Sequence, residues 1–314
     1  MNRVGHSPTN LFADLDVEVH PDHPLGKDTW FGVGGHADML VRPRAEAALC
    51  ELVRRCHEHE IPVRVFGSGA NLLIADEGVD GIVLRLDHAA FTDVRYNLDG
   101  AVDAMKAMAG ADMGRTMNEA VRRGLSGLQQ MAGIPASIGG AIRMNAGGAF
   151  GAIGDSVHSV GCLTTRGDLV IYPANELRMG YRETNIPDGV ILWAAFTMEE
   201  ADPQALKEQL LEVFQYKKAT QPSMAESSAG CAFKNPIDPE SGDRISAGKL
   251  IDQAGLKEQR VGSAQVSRLH GNFLVVDPGG TASDVIHLIQ DVRSGVKKAH
   301  GIELENEVVI WSRS

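Results

Sequence analysis

Residues 133–151 of the 314-residue chain read GIPASIGGAIRMNAGGAFG, a stretch that is rich in glycine. It contains six glycines in nineteen residues and a single charged side chain. Each glycine in a helix interior costs about 1 kcal/mol, so we expect no stable helix here. The segment is also too apolar for a solvated linker. This composition is typical of a loop that wraps around a flat or phosphorylated ligand, and turns within a core are the alternative.

A second glycine-rich stretch, VFGSGANLL, occupies residues 65–73. Its small residues follow a predicted strand and would let backbone N–H groups approach a diphosphate closely. A tight turn between two strands explains the pattern equally well. GVGGHA at residues 32–37 fits a loose dinucleotide-binding pattern, but no strand is predicted before it and the next helix begins only near Glu46. We therefore reject a Rossmann domain.

Composition excludes several classes of protein. The formal net charge is −11 and no Lys/Arg-rich block occurs, so nucleic acid and anionic membranes are poor general partners. No stretch approaches the roughly 20 apolar residues of a membrane-spanning helix, and the N-terminus lacks the apolar core of a signal peptide. The four cysteines are scattered without a CxxC pair, so we expect no metal site and no disulfide framework. These features predict a reduced, cytoplasmic protein.

Periodicity divides the chain into a loose arm (1–24), a small α/β unit (25–88), a second region (89–215) and a third region (216–314). Apolar residues at helical spacing in AEAALCELVRRCHEHEIP predict the first helix, with Leu49, Leu52, Val53 and Cys56 facing a core. Further helices are predicted at 112–123, 203–218 and 281–300, the last capped by Thr281 or Ser283. Strands are predicted at 63–67, 72–76, 81–86, 157–165, 168–173, 190–198, 271–277 and 305–311.

A single cysteine stands in SSAGCAFKNP, residues 227–236. A structural cysteine usually lies in an apolar periodic run, whereas Cys231 follows a glycine and precedes a polar pair. The context predicts a shaped loop. An inert cysteine is the alternative on this evidence alone.

Seven stretches together resemble the UDP-N-acetylenolpyruvoylglucosamine reductase (MurB) family, in its shorter type. In order they are TWFGVGGHAD, VFGSGANLL, GLSGLQQMAGIPASIGGAIRMNAGG, GYRET, SSAGCAFKNP, AGKLIDQAGLKEQRVGSAQVS and GIELENEV. The resemblance runs from about Thr29 to Trp311. It implies an α+β fold, with a two-part FAD-binding module of the vanillyl-alcohol-oxidase type followed by a smaller α+β substrate-binding domain.

The resemblance also implies which residues bind FAD. They belong to the two glycine-rich stretches: Gly67, Ser68, Gly69, Ala70, Asn71, Leu72, Gly133, Ile134, Pro135, Ser137, Gly139, Gly140, Asn145, Ala146 and Gly147.

The implied reaction is the NADPH-dependent reduction of the enolpyruvyl ether of UDP-N-acetylglucosamine-enolpyruvate to UDP-N-acetylmuramate, in peptidoglycan precursor synthesis. NADPH reduces the flavin, hydride then passes from flavin N5 to C3, and a proton must reach C2. The matching catalytic residues are Arg182, Cys231 and Glu307, and Tyr181, Lys234 and Asn235 match residues that face the substrate. NADPH and the sugar nucleotide are thus the expected partners, without nucleic acid or membrane insertion.

The chemistry of the three side chains fits these roles. An arginine presents a planar, permanently charged fork to a carboxylate that gains charge in the transition state. In a strand over ENEVVIW, Glu305 and Glu307 would share a face with Val309 and Trp311, which predicts partial burial of Glu307. Cys231 stands where the family most often has the serine that protonates C2, and a thiol is a stronger acid than an alcohol. A surface arginine and two exposed glutamates are the alternatives.

Two other functions are compatible with the same module. One is an oxidase that uses O₂ on an alcohol or sugar, and such an enzyme would reoxidise in air without the enolpyruvyl substrate. The other is a non-catalytic nucleotide-sugar sensor, against which the combination of Arg182, Cys231 and Glu307 argues.

Overall fold

A computed structural model describes residues 11–97, 104–222 and 228–314. Within it the chain forms two compact units, each assembled from separate segments. The first contains the described residues of Met1–Pro21, Met39–Gly67 and Gly81–Leu210, and the second contains those of Asp22–Asp38, Ser68–Asp80 and Leu211–Ser314. The domain boundaries drawn from the sequence follow chain order and stay a prediction.

The N-terminal elements are β1 (Val17–His23), β2 (Ala37–Pro43), α1 (Glu46–Glu58), β3 (Val63–Phe66), β4 (Leu72–Ile74) and β5 (Val79–Arg85). A four-stranded sheet has the order β1-β2-β5-β3, with β3 and β5 parallel. The predicted core face of α1 is confirmed, since Leu49, Leu52, Val53 and Cys56 are all buried. The helix ends where Glu60 takes a positive φ of 55°, just before Pro62.

The predicted arm is wrong for residues 17–23, which form the edge strand β1. The segment is polar, but it pairs with β2, and the chain just before it is anchored because Arg55 donates from Nη1 to the carbonyls of Leu11 (3.2 Å) and Ala13 (2.7 Å). Residues 1–10 lie outside the described part of the chain.

The next elements are β6 (Val94–Tyr96), β7 (Ala104–Met108), α2 (Met113–Arg122), β8 (Leu125–Ser126), α3 (Ile138–Arg143), β9 (Gly147–Gly148), β10 (Gly151–Ala152), β11 (Val157–Thr164), β12 (Leu169–Pro173), β13 (Met179–Gly180), β14 (Glu183–Thr184), β15 (Gly189–Thr197), β16 (Glu199–Glu200) and α4 (Pro203–Thr220). An antiparallel sheet of order β12-β11-β15-β7-β6 is the framework of this region. The short hairpins β9–β10 and β13–β14 accompany it.

The C-terminal elements are β17 (Ser228–Gly230), α5 (Ala247–Gln253), β18 (Arg260–Val261), β19 (Ala264–Val266), β20 (Phe273–Val276), α6 (Ala282–His300) and β21 (Val309–Trp311). An antiparallel sheet of order β17-β20-β19-β18 packs with α6 around one apolar core, which includes Phe233, Leu274 and Val292. Thr281 caps α6 as predicted, and Gly301 ends it in the left-handed conformation.

The second unit includes two distant segments because they supply core residues and strand pairing. Phe31 and Leu73 belong to the same apolar core, and β4 pairs with β21 in parallel. None of the helices formed by the described residues has the length and apolar character needed to span a bilayer.

Candidate active site

Cys231 follows β17 directly and lies in a loop that is held from both sides. On one side, β17 pairs with β20 through Gly230 and Phe273. On the other, the Ala232 N–H donates to the Asn272 carbonyl at 2.8 Å, and the Phe233 N–H donates to Asn272 Oδ1 at 2.9 Å. The thiol is half-buried. The loop therefore presents Cys231 from a fixed backbone.

Glu307 lies on the neighbouring segment of chain. Its N–H donates to the Ala232 carbonyl at 2.8 Å, and the Lys234 N–H donates to the Glu305 carbonyl at 2.9 Å. Residues 232–234 and 305–307 thus run side by side. Glu307 is only 8% exposed, which confirms the predicted burial. The structure brings Cys231 and Glu307 into adjacent segments of the second unit.

The predicted strand over 305–311 is wrong for its first half. Only Val309–Trp311 forms β21, and residues 305–307 contact the Cys231 loop through the isolated bridge between Phe233 and Asn306. The Glu305 side chain is 76% exposed and pairs with Lys234 Nζ at 3.2 Å. The burial of Glu307 therefore comes from contact with the Cys231 loop and not from strand alternation.

Asn71 connects the first glycine-rich stretch to Glu307. Its Nδ2 donates to the Glu307 carbonyl at 2.9 Å, and its own carbonyl accepts from the Val309 N–H at 3.1 Å. The Asn71 Oδ1 is buried and, within the described part of the chain, has no hydrogen-bond partner. Ser68, Gly69 and Ala70 form the preceding turn, and Leu72 begins β4.

Asn235 shapes the loop after Lys234. Its Oδ1 accepts from the Ala247 N–H at 3.0 Å, at the start of α5, and its carbonyl accepts from Arg244 at 2.8 Å. The side-chain oxygen of Asn235 thus has a structural partner. The substrate-facing role of Lys234 and Asn235 stays a prediction.

The second glycine-rich stretch contains a short helix, contrary to the prediction of a loop. Ser137 caps α3 by accepting from the Gly140 N–H at 3.3 Å. A Cβ on Gly139 would lie 2.9 Å from Ala109 Cβ, so glycine lets the first turn of α3 pack closely on its neighbour. The close packing and the cap compensate for the low helix propensity of glycine.

Other predicted FAD residues surround this helix. Gly133 takes a positive φ of 70°, and Ile134 and Pro135 lead from it to the cap. A Cβ on Gly67 would lie 2.7 Å from Ser137 Oγ, so the two glycine-rich stretches meet at this point. Ala146 follows α3, and Gly147 begins β9.

Tyr181 and Arg182 form the two-residue turn of the β13–β14 hairpin. Arg182 takes a positive φ of 60°, a conformation that non-glycine residues rarely adopt, and its Nη2 donates to the Gly147 carbonyl at 2.9 Å. The guanidinium also lies over the Tyr181 ring at 4.9 Å. Asn145 joins the hairpin to the glycine-rich stretch, since its Nδ2 donates to the Gly180 carbonyl at 2.8 Å.

The residues present fit a bound dinucleotide. In the first unit, glycine at positions 67 and 139 lets the backbone lie close to Ser137 Oγ and Ala109 Cβ, where a Cβ would be too near. In the second unit, the buried Asn71 Oδ1 is an acceptor available to a ligand donor. The small residues Gly69 and Ala70 lie in the turn before β4, a setting in which backbone N–H groups can bind phosphate oxygens.

The other cysteines differ from Cys231 in their surroundings. Burial raises the pKa of the Cys56 thiol to about 12. Burial also raises the pKa of the Cys162 thiol, although Arg143 opposes this, and it raises the pKa of Cys50. All three thiols therefore stay protonated near neutral pH.

Two parts of the chain match known protein families. Residues 37–172 match the FAD binding domain family, and residues 221–311 match the C-terminal domain of UDP-N-acetylenolpyruvoylglucosamine reductase. The reductase of Syntrophobacter fumaroxidans is 36% identical over 307 residues, covering 96% of this chain and 87% of its own. That of Heliobacterium modesticaldum is 37% identical over 302 residues, covering 96% and 93%. The chain belongs to the UDP-N-acetylenolpyruvoylglucosamine reductase family.

A solved structure agrees with this membership. The crystal structure of UDP-N-acetylenolpyruvylglucosamine reductase (MurB) from Thermus caldophilus is 35% identical, covers 95% of this chain and 99% of its own, and superposes with a TM-score of 0.77. As a member of the reductase family, the chain is an FAD-containing oxidoreductase. The predicted fold class, an FAD-binding module followed by a smaller α+β domain, is confirmed.

Asn272 is the residue of this site that the sequence did not reveal. It is 1% exposed and forms three hydrogen bonds to residues 232–233. An asparagine just before a strand carries no signal of a distant backbone partner.

Proposed function

We propose that this protein reduces the enolpyruvyl ether of UDP-N-acetylglucosamine-enolpyruvate to UDP-N-acetylmuramate, with NADPH as the reductant. The observation that carries the proposal is the pairing of the Cys231 loop with the Glu307 segment through the Ala232 carbonyl. The names of the relatives support the substrate class. In the overall reaction NADPH becomes NADP⁺, and the C2–C3 double bond gains hydride at C3 and a proton at C2.

When bound, FAD supplies the two-electron relay between NADPH and the double bond. The predicted ligands in the two glycine-rich stretches, with Asn71 and Ser137 among them, would hold it. Side chains of the protein stabilise the charge that develops on the substrate and supply the proton to C2.

Arg182 stabilises the substrate carboxylate as C2 becomes electron-rich. Its guanidinium is planar and always charged, and the bond from Nη2 to the Gly147 carbonyl fixes its orientation. The positive φ at Arg182 belongs to the tight turn of the β13–β14 hairpin, which places the arginine at the tip of that hairpin.

Cys231 donates the proton to C2. The S–H bond breaks, the C–H bond forms, and the resulting thiolate recovers a proton from solvent. Glu307 assists from the adjacent segment. Because its carboxyl group is buried, few water molecules compete with the reacting groups for hydrogen bonds to it. A thiol donor works only while reduced, which is our reason for placing the reaction in the cytoplasm.

Anaerobic NADPH oxidation tests the proposal. We expect NADP⁺ to form beyond one equivalent of enzyme flavin only when the enolpyruvyl sugar nucleotide is added, with product two hydrogens heavier than the substrate by mass spectrometry. Oxidation that needs O₂ and ignores the sugar nucleotide would indicate an oxidase instead. Tight binding of the sugar nucleotide without NADPH consumption would indicate a sensor.

A further inference from the structure

Asn272 is a buried polar residue whose hydrogen bonds converge on the Cys231 loop. Its carbonyl accepts from the Ala232 N–H at 2.8 Å. Its side chain accepts from the Phe233 N–H at 2.9 Å and donates from Nδ2 to the Phe233 carbonyl at 2.7 Å. Its own N–H donates to His270 Nδ1 at 3.1 Å. One residue thus fixes three consecutive peptide units beside the thiol, from Cys231–Ala232 to Phe233–Lys234.

The side chain of Asn272 takes the place of a strand partner. The pairing of β17 with β20 ends at Gly230, and Phe233, which is fully buried, still needs partners for its N–H and carbonyl. A carboxamide carries one acceptor and donors in the arrangement of a peptide group. Aspartate has no donor when ionised, and glutamine is longer by a methylene. The site therefore selects asparagine.

Ala232 connects Asn272 to Glu307. The Ala232 N–H is bound by Asn272, while the Ala232 carbonyl accepts from the N–H groups of Glu307 at 2.8 Å and Val308 at 3.3 Å. Any shift of the loop at residue 232 would change the position of Cys231 and its separation from the Glu307 segment together.

We propose that Asn272 is a positioning residue of the reduction step, which holds the Cys231 thiol in register with Glu307. This inference rests on the proposed function for its catalytic consequence. The positioning of Cys231 itself can be measured without turnover. Asn272 acts through the loop, and its loss should leave the reaction with NADPH unaffected.

The experiment compares Asn272→Ala and Asn272→Asp with Val285→Ala, a buried variant on α6 that removes core packing from the same unit without removing a hydrogen bond to the Cys231 loop. Stopped-flow absorbance follows flavin reduction by NADPH and anaerobic flavin reoxidation by the enolpyruvyl sugar nucleotide. Misplacement of a reacting group by about 1 Å can cost about 10²-fold, so reoxidation should fall by at least about tenfold in both Asn272 variants. Flavin reduction should stay within about threefold of wild type, and Val285→Ala should leave the ratio of the two rates unchanged.

Two further measurements separate positioning from general destabilisation. In Asn272→Asp, lowering the pH should restore reoxidation relative to wild type, because a protonated carboxyl regains a donor for the Phe233 carbonyl. The rate at which iodoacetamide labels Cys231, followed by mass spectrometry, should change by at least about fivefold in Asn272→Ala and should not change in Val285→Ala.

The outcomes distinguish this inference from the proposed function. Unchanged Cys231 labelling, or equal loss in both half-reactions, would overturn the positioning role. A wild-type protein that never reduces the sugar nucleotide would contradict the proposed function, and the labelling comparison would still decide whether Asn272 positions the thiol.

Discussion

Arg182 offers a variant that should lose activity with only a small loss of stability. Its backbone φ of 60° costs a non-glycine residue about 1–2 kcal/mol, and glycine would relieve this strain. Against that gain, Arg182→Gly loses the hydrogen bond to Gly147, worth about 1 kcal/mol, and the contact with the Tyr181 ring, worth about 0.5–1 kcal/mol, and it adds the backbone entropy of glycine, about 0.5–1 kcal/mol. The free energy of unfolding should therefore fall by no more than about 2 kcal/mol.

Turnover should respond very differently. Two hydrogen bonds from a charged donor to the substrate carboxylate, each worth about 1.5–3 kcal/mol, correspond to about a 10²- to 10⁴-fold loss of rate. Arg182→Lys keeps the charge but not the planar fork and should recover only part of it. Because the carboxylate gains charge only during reduction of the double bond, flavin reduction by NADPH should be unaffected.

The assay combines urea unfolding with the two half-reactions in stopped flow. Arg178→Ala is the matched control, since Arg178 is an exposed arginine immediately before the same hairpin. It should behave as wild type in every measurement. Arg182→Gly with normal reoxidation by the sugar nucleotide, or with both half-reactions slowed alike, would refute the reasoning.

Three further predictions follow from the same contacts. Glu307→Gln keeps its backbone bonds to Ala232 and Asn71, so it should fold normally and slow reoxidation by about 10²- to 10⁴-fold, and normal turnover would remove Glu307 from the reaction. Cys231→Ala should stall flavin reoxidation by the sugar nucleotide, whereas Cys231→Ser should retain it. In peptide mapping at neutral pH, iodoacetamide should label wild-type Cys231 well before Cys56, whose thiolate appears only as the pH approaches about 12. Gly67→Ala should weaken FAD binding by about 2- to 30-fold in fluorescence titrations, because its Cβ displaces the Ser137 cap of α3; an equal effect in a Ser137→Ala background would contradict this.

Regular patterns in the sequence predicted most of the fold. The apolar spacing of α1 and the cap of α6 are local signals, and both elements form as predicted. The helix α3 was missed because propensity argues against it, whereas the contact that favours it joins Gly139 and Ala109, which are thirty residues apart in the chain. The strand predicted at Glu305 was wrong because pairing with the Cys231 loop, and not the alternation of residues, determines the backbone there.

The candidate site was predictable only as a set of side chains. The motifs that resemble the family supplied Arg182, Cys231 and Glu307. The left-handed backbone at Arg182 has no sequence signal, since arginine is not favoured in that conformation. The role of Asn272 depends on partners 39 residues away, which no local pattern specifies.

Anaerobic reoxidation of the reduced flavin is the most direct test of the central claim. Protein is reduced with one equivalent of reductant in D₂O and mixed, without O₂, with UDP-N-acetylglucosamine-enolpyruvate. We expect the oxidised-flavin absorbance to return in a single turnover and UDP-N-acetylmuramate to form with deuterium at C2, delivered through the exchangeable Cys231 thiol. A flavin that stays reduced until air is admitted, with the sugar nucleotide recovered unchanged, would contradict it.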